Sequence, residues 1–149
     1  MKLRSQTLTA LRALLDLCVY SAPHVPTSLA EIARRQQLSV AFLEQLFRRL
    51  KGAGLVSPFR GMKGGYTLTR APQAISLLEV FQALQDPLVA PAKSSTQRAE
   101  ITVLLEALGD AAQALETKLG AMSLEELKRR AIEHPDLKGV PRVGAGFSI

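Results

Sequence analysis

The sequence predicts a mostly α-helical chain, organised as a winged helix-turn-helix with a two-stranded wing and a long C-terminal dimerisation helix. Three observations carry that expectation. Two short capped helices are separated by a brief turn, a glycine-rich hairpin follows directly, and an apolar repeat at coiled-coil spacing lies downstream. The interior has to be aliphatic. Aromatics make up 5% of the 149 residues and Trp is absent, so Leu, Ala, Ile and Val must fill the core, and their long runs favour helices.

Thr7 to Tyr20 sets Leu8, Leu11, Leu14, Leu15 and Cys18 at helical spacing, and Pro23 and Pro26 end that first helix. Ser28-Leu29-Ala30-Glu31 is a capping box that opens a short helix running to about Arg35. Gln36-Gln37-Leu38 is a turn. Ser39 then caps a third helix, Val40 to Lys51, with Leu43, Leu46, Phe47 and Leu50 on its apolar stripe. Gly52 and Gly54 close it, Leu55 to Ser57 and Tyr66 to Thr69 read as two strands, and Pro58 to Gly65 is the glycine-rich loop between them. A phosphate-binding loop is excluded there, because the Lys precedes the glycine pair and no Ser or Thr follows at the magnesium position.

Ser76-Leu77-Leu78-Glu79 is a second capping box, opening a helix to about Gln85. A proline-containing loop follows, and a long helix begins near Thr96. In it Ile101, Leu105, Leu108, Ala112, Leu115, Leu119 and Met122 recur alternately four and three apart, the seam of a helix that lies along another helix. We assign the first six of these to dimerisation. Ser123 caps a last short helix ending near His134. The domain organisation expected is 1–85 as the winged helix-turn-helix, 86–95 as linker, 96–134 as dimerisation helix and short terminal helix, and 135–149 as a loose tail.

Charge points to the partner. Residues 1–72 hold eleven Lys and Arg against three Asp and Glu, whereas the remainder holds eight against ten. Such asymmetry is the footprint of a half that meets a polyanion. In a helix-turn-helix the second helix offers its N-terminal residues to base edges in the major groove of double-stranded DNA. Here Glu44 can accept from a cytosine amino group, and Val40, Ala41 or Phe42 can meet a thymine methyl. Gln45 reads either as an adenine contact or as a solvated face residue. Arg48 and Arg49, farther along, reach toward phosphates, and Arg60 and Lys63 sit on the wing, where Gly61 and Gly64 allow close approach to the backbone of DNA. Ser28 and Ser39, at the two helix starts, complete the DNA-binding set.

Several classes are excluded. No run reaches the ~20 apolar residues of a membrane span, and the N-terminus has no signal-peptide pattern, so a cytoplasmic protein is expected. Neither His24 nor His134 has a partner at ligand spacing, so no metal site is expected. Cys18, the one cysteine, lies on an apolar stripe and reads as a buried, inert thiol. Scattered carboxylates and the lack of a nucleophile with a base argue against an enzyme, and no catalytic residue is assigned. A winged helix serving as a protein–protein scaffold is the alternative.

The run Leu29 to Gln36, then Ser39, then Phe42-Leu43-Glu44-Gln45-Leu46-Phe47-Arg48-Arg49-Leu50, followed by Gly54-Leu55-Val56 and Arg60-Gly61-Met62-Lys63-Gly64-Gly65-Tyr66, resembles the IscR-like, or Rrf-type, family of bacterial regulators. The resemblance extends from Met1-Lys2-Leu3 to Leu124-Glu125-Glu126-Leu127. It implies a two-fold dimer that recognises a palindromic operator and usually represses. Family members commonly have Tyr where Phe42 stands and a hydroxyl residue where Ala41 stands, so a different operator is implied. The family often carries three cysteines between the helix after the wing and the dimerisation helix; here that segment, Asp86 to Gln97, has no Cys or His. No cofactor is expected, and an effector, if any, is a small molecule or a protein.

Overall fold

The structure is a computed structural model describing residues 3–62, 64–88 and 98–137. Three helices come first: α1 (Ser5–Tyr20), α2 (Leu29–Gln36) and α3 (Val40–Gly52). An antiparallel hairpin follows, β1 (Val56–Phe59) and β2 (Gly65–Leu68), in the register Val56 opposite Leu68 and Phe59 opposite Gly65. A 3-10 turn at Pro72–Ala74, which the sequence pattern did not announce, leads into α4 (Leu77–Ala83). The chain then forms α5 (Ala99–Ala121), α6 (Leu124–Glu133) and a final 3-10 turn at Pro135–Leu137. Most of the linker expected at 86–95 and of the tail expected at 135–149 lies outside the described residues.

Local chemistry sets most of these boundaries. Ser28 and Ser76 each accept from the backbone N–H three residues on, while Glu31 and Glu79 reach back to the cap, so both expected capping boxes form. Ser123 accepts from the Glu126 N–H at the start of α6. Gln37, left-handed with φ 54°, ends α2 and turns the chain into α3. At the other end of α3, Gly54 takes φ 75°, and the Leu55 N–H returns to the Leu50 carbonyl.

The core is one cluster. Leu14, Ile32, Leu43, Phe47, Leu50, Ile75, Val80 and Leu84 are fully buried, drawn from α1 through α4, and Leu124 of α6 is equally closed off. That last residue corrects the division expected at residue 96. The corner between α5 and α6 is stitched to the start of α4: the Leu77 N–H donates to the Met122 carbonyl at 2.9 Å, and the Leu124 N–H donates to the Ile75 carbonyl at 3.0 Å. The α6 helix then packs along α1. The terminal helix is thus part of the winged-helix body, and α5 packs on that body through α4, with Leu119 against the core.

Two buried carboxylates, Asp16 and Asp86, lie inside this body, and the first ties α1 to α2. Asp16 of α1, 2% exposed, accepts from Arg35 Nη2 at 2.6 Å and Nε at 3.0 Å, and from Gln36 Nε2 at 2.9 Å. Those hydrogen bonds hold the Arg35 guanidinium above its ordinary range, and its carbon also lies 5.2 Å from the Tyr20 ring centre. Removing one member of a buried pair strands the other. Asp16→Ala is therefore expected to lower the unfolding free energy by about 3 kcal/mol, read from urea denaturation, and a loss below about 1 kcal/mol would show the pair to be solvated.

Candidate nucleic-acid interface

The face of α3 opposite its buried stripe is continuous. Val40, Ala41, Glu44, Gln45 and Arg48 are all exposed, at the one- and four-residue spacings that align side chains along one side of a helix. Leu43, Leu46, Phe47 and Leu50 face the core. Ser39 caps the helix by accepting from the Phe42 N–H, so its hydroxyl sits at the helix start beside that face. Two residues of the expected set are placed differently. Phe42 is half-buried and packed against the core, so only part of it is open to a DNA base.

Arg49 requires a correction. It was assigned to phosphates, yet its guanidinium turns inward, donating to the Gln6 side-chain oxygen at 3.2 Å and to the Leu84 carbonyl. It lies one residue, about 100°, round the helix from Arg48, which is enough to send it to α1 and α4. The two adjacent arginines thus do different work.

The wing is anchored from beneath. Thr27, just before α2, exchanges backbone hydrogen bonds with Tyr66 of β2, at 3.1 and 2.9 Å, and so adds a one-residue third strand. Gly65 makes that approach possible: a β-carbon there would stand 2.4 Å from the Thr27 carbonyl oxygen. The Tyr66 ring meets Phe47 edge-on with centroids 4.9 Å apart, docking the hairpin on the recognition helix. Sequence reasoning missed this root; the signal available was the glycine pair, whose second member needs a reason beyond the turn. Arg60, Gly61 and Gly64 are exposed at the tip, beside exposed Phe59 and Met62, while Lys63 lies outside the described residues.

Internal contacts sort the basic residues. Arg35 pairs with Asp16, Arg4 with Asp86 and Arg70 with Glu79, and Arg12 donates to the Gln36 carbonyl. Among the described residues, Arg34, Arg48, Lys51, Arg60, Lys118 and Arg129 are exposed and make neither an ion pair nor a side-chain hydrogen bond. The first four belong to α2, α3 or the wing, the last two to α5 and α6. Arg34 and Lys51, absent from the expected set, lie on the helices of the helix-turn-helix and extend its positive surface.

A sequence profile for Rrf2, described as an iron-dependent transcriptional regulator, matches residues 3–130. The chain belongs to the Rrf2 family. The IscR transcriptional regulator of Xenorhabdus nematophila is 37% identical over 130 residues, covering 85% of this chain and 79% of that one. Protein rrf2 of Nitratidesulfovibrio vulgaris is 32% identical over 136 residues, covering 88% and 89%. Among solved structures, CymR, the global cysteine regulator of B. subtilis, superposes with a TM-score of 0.71 at 28% identity, over 87% of this chain and 98% of that one. IscR of T. potens gives 0.69 at 29% identity, over 88% of each. As an Rrf2 protein the chain is a DNA-binding transcription regulator with a winged-helix fold, not an enzyme, and no described helix is long and apolar enough to cross a membrane.

The iron in the family description meets an unsuitable donor set. The chain has one cysteine, and Cys18 is buried in α1, where desolvation pushes its thiol up to about 12. A thiol held protonated is a poor ligand, since iron–sulfur clusters are bound by several thiolates. Among the described residues no three His, Cys, Asp or Glu come together in a way that could hold a metal. The residues present do not fit a cluster.

The two arginines give a direct test. Arg48→Gln is expected to reduce the salt dependence of binding to random-sequence DNA by about one unit of slope, as for one lost phosphate contact. Arg49→Gln is expected to leave that slope unchanged and to cost roughly 1–3 kcal/mol of stability, as for a part-buried charged hydrogen bond. A slope lowered equally by both would return Arg49 to the DNA face.

Proposed function

We propose that this Rrf2 protein is a cytoplasmic homodimer that represses transcription from a palindromic operator without an iron–sulfur cluster. The observation that supports the dimer is α5. It runs 23 residues, about 34 Å, yet none of its residues is buried. Ile101, Leu105, Ala112, Leu115 and Leu119 are half-covered, and Leu108 is 47% exposed, as are Leu104 and Val103 to a greater degree. An isolated helix of this composition gains nothing from standing in water. A second copy of α5 lying along the same seam supplies the cover, and its two-fold axis presents two recognition helices to matching half-sites.

On the DNA, Val40, Ala41, Glu44 and Gln45 read base edges, with the open part of Phe42 beside them, and Ser28, Ser39 and Arg48 hold phosphates. Arg60, with Gly61, Lys63 and Gly64, follows the neighbouring groove from the wing. The proteins named IscR and CymR among the relatives support a sequence-specific site, and Ala41 in the place of the family's usual hydroxyl residue supports an operator of its own.

Leu108→Glu places a carboxylate in the middle of the seam, where pairing would have to desolvate it. Sedimentation is expected to show a monomer, with operator affinity lost while the circular dichroism of the body persists; a variant that remains dimeric would remove α5 from the interface. For the cluster, anaerobic purification followed by iron and sulfide analysis is expected to find neither in stoichiometric amount. A brown protein whose DNA affinity falls on chelation would overturn that part of the reading.

A further inference from the structure

A cavity of about 450 Å³ opens between the end of α1, the root of the wing and the start of α6. No lining residue belongs to α2 or α3, so the space lies outside the helix-turn-helix and against the base of the wing. Its size falls within the roughly 300–1,000 Å³ of small-molecule sites. Leu17 and Cys18, both nearly closed to solvent, form a buried wall with half-buried Leu68 of β2. The thiol stays protonated, so this wall is uncharged.

Arg70, Glu125 and Lys128 also line it, with His24 nearby on the loop after α1. The Arg70 guanidinium is already held by Glu79 at 2.7 Å and by the Ala74 carbonyl at 2.9 Å. Lys128 is different. Its one ion pair among the described residues is a loose contact with Glu125 at 3.9 Å, on the same helix, and its side chain is 31% exposed. A part-buried, weakly paired ammonium beside an apolar wall matches a ligand with a carboxylate head and a hydrocarbon body, through one charge-assisted hydrogen bond and the burial of the chain. A cationic ligand would have to sit on Glu125 against two neighbouring cations.

We propose that this cavity is an effector site for a small organic carboxylate with an apolar body, held by Lys128 against Leu17, Cys18 and Leu68. Its occupant touches the wing directly, because Thr67 and Leu68 of β2 and the following Thr69 and Arg70 form one wall. The effector role rests on the chain being a DNA-binding regulator, so affinity of the ligand-free protein for the genomic fragments it retains is measured first. Failure there would overturn the regulator reading and the effector role with it, and calorimetry decides the site separately.

The full-length protein is titrated with octanoate and with octylamine. Octanoate is expected to bind and octylamine to bind about tenfold more weakly or not at all. Lys128→Glu is expected to weaken octanoate about tenfold, and Ala22→Phe, which fills the cavity, to abolish binding; both lie outside the DNA-contacting set. Octanoate is expected to shift the DNA affinity of the parent severalfold and that of Lys128→Glu not at all. Equal binding of the two probes, or octanoate binding indifferent to Lys128→Glu, would overturn the site. Binding that leaves DNA affinity unchanged would overturn the effector role. Should Ala22→Phe fail to fold, the surface variant Lys128→Glu still decides the matter.

Discussion

The contact on which the rest of the body depends is the buried Asp16 carboxylate and the three N–H groups it accepts from Arg35 and Gln36. A carboxylate sealed in α1 is stable only while those donors stay in place, so the end of α2 is fixed in angle and register against α1. The turn at Gln37 starts from that point, and α3 follows from the turn. Apolar burial alone would let α2 slide or rotate at small cost, because its buried side chains are Ile32 and Ala33 alone. The bidentate ion pair is directional, and it converts a loosely held eight-residue helix into a fixed base for the recognition helix.

How much of this was legible in the sequence depends on the range of the interaction. The capping boxes at Ser28 and Ser76 were readable because cap and partner lie three residues apart, and they form as expected. The apolar stripe of α3 was readable for the same reason, and its complement is the exposed face Val40, Ala41, Glu44, Gln45 and Arg48. Contacts across the chain left no local signal. Nothing near Arg49 announces that it meets Gln6 and the Leu84 carbonyl, 43 and 35 residues away, and an arginine beside another arginine on a basic helix reads as surface. Asp16 and Arg35 likewise read in the sequence only as charges, with nothing local to pair them. The placement of α6 was hidden too, because a short capped helix looks alike whether it follows a dimer helix outward or returns to α1.

The wing shows a middle case. Its glycines were visible and their role in a tight turn followed at once. Gly65, however, is needed on its outer side, where the Thr27 carbonyl comes so close that no side chain fits. That requirement arises from a segment about 40 residues upstream and makes the hairpin a continuation of the loop that feeds α2. The wing is thereby tied to the helix-turn-helix at both levels, by backbone at Thr27 and by the Phe47–Tyr66 ring contact.

Besides its packing on α4, α5 is joined to the body at two separate places, and these bear on how a signal without iron could reach DNA. At one, the chain leaving α4 is held by Arg49 on the Leu84 carbonyl, and by Thr7 at 2.5 Å and Arg4 at 3.2 Å on the buried Asp86 carboxylate. That node binds the second half of α3 to the residues just before the connection to α5. At the other, the turn between α5 and α6 is stitched to α4, and α6 carries Glu125 and Lys128 to the cavity whose wall is the wing. The first node touches α3 and the start of α1, and the second touches the wing and the end of α1. Each node borders an open space, but in a chain lacking the cysteines for a cluster only the second space is lined by a weakly paired cation, Lys128. It is there that a ligand has something to bind and something to move.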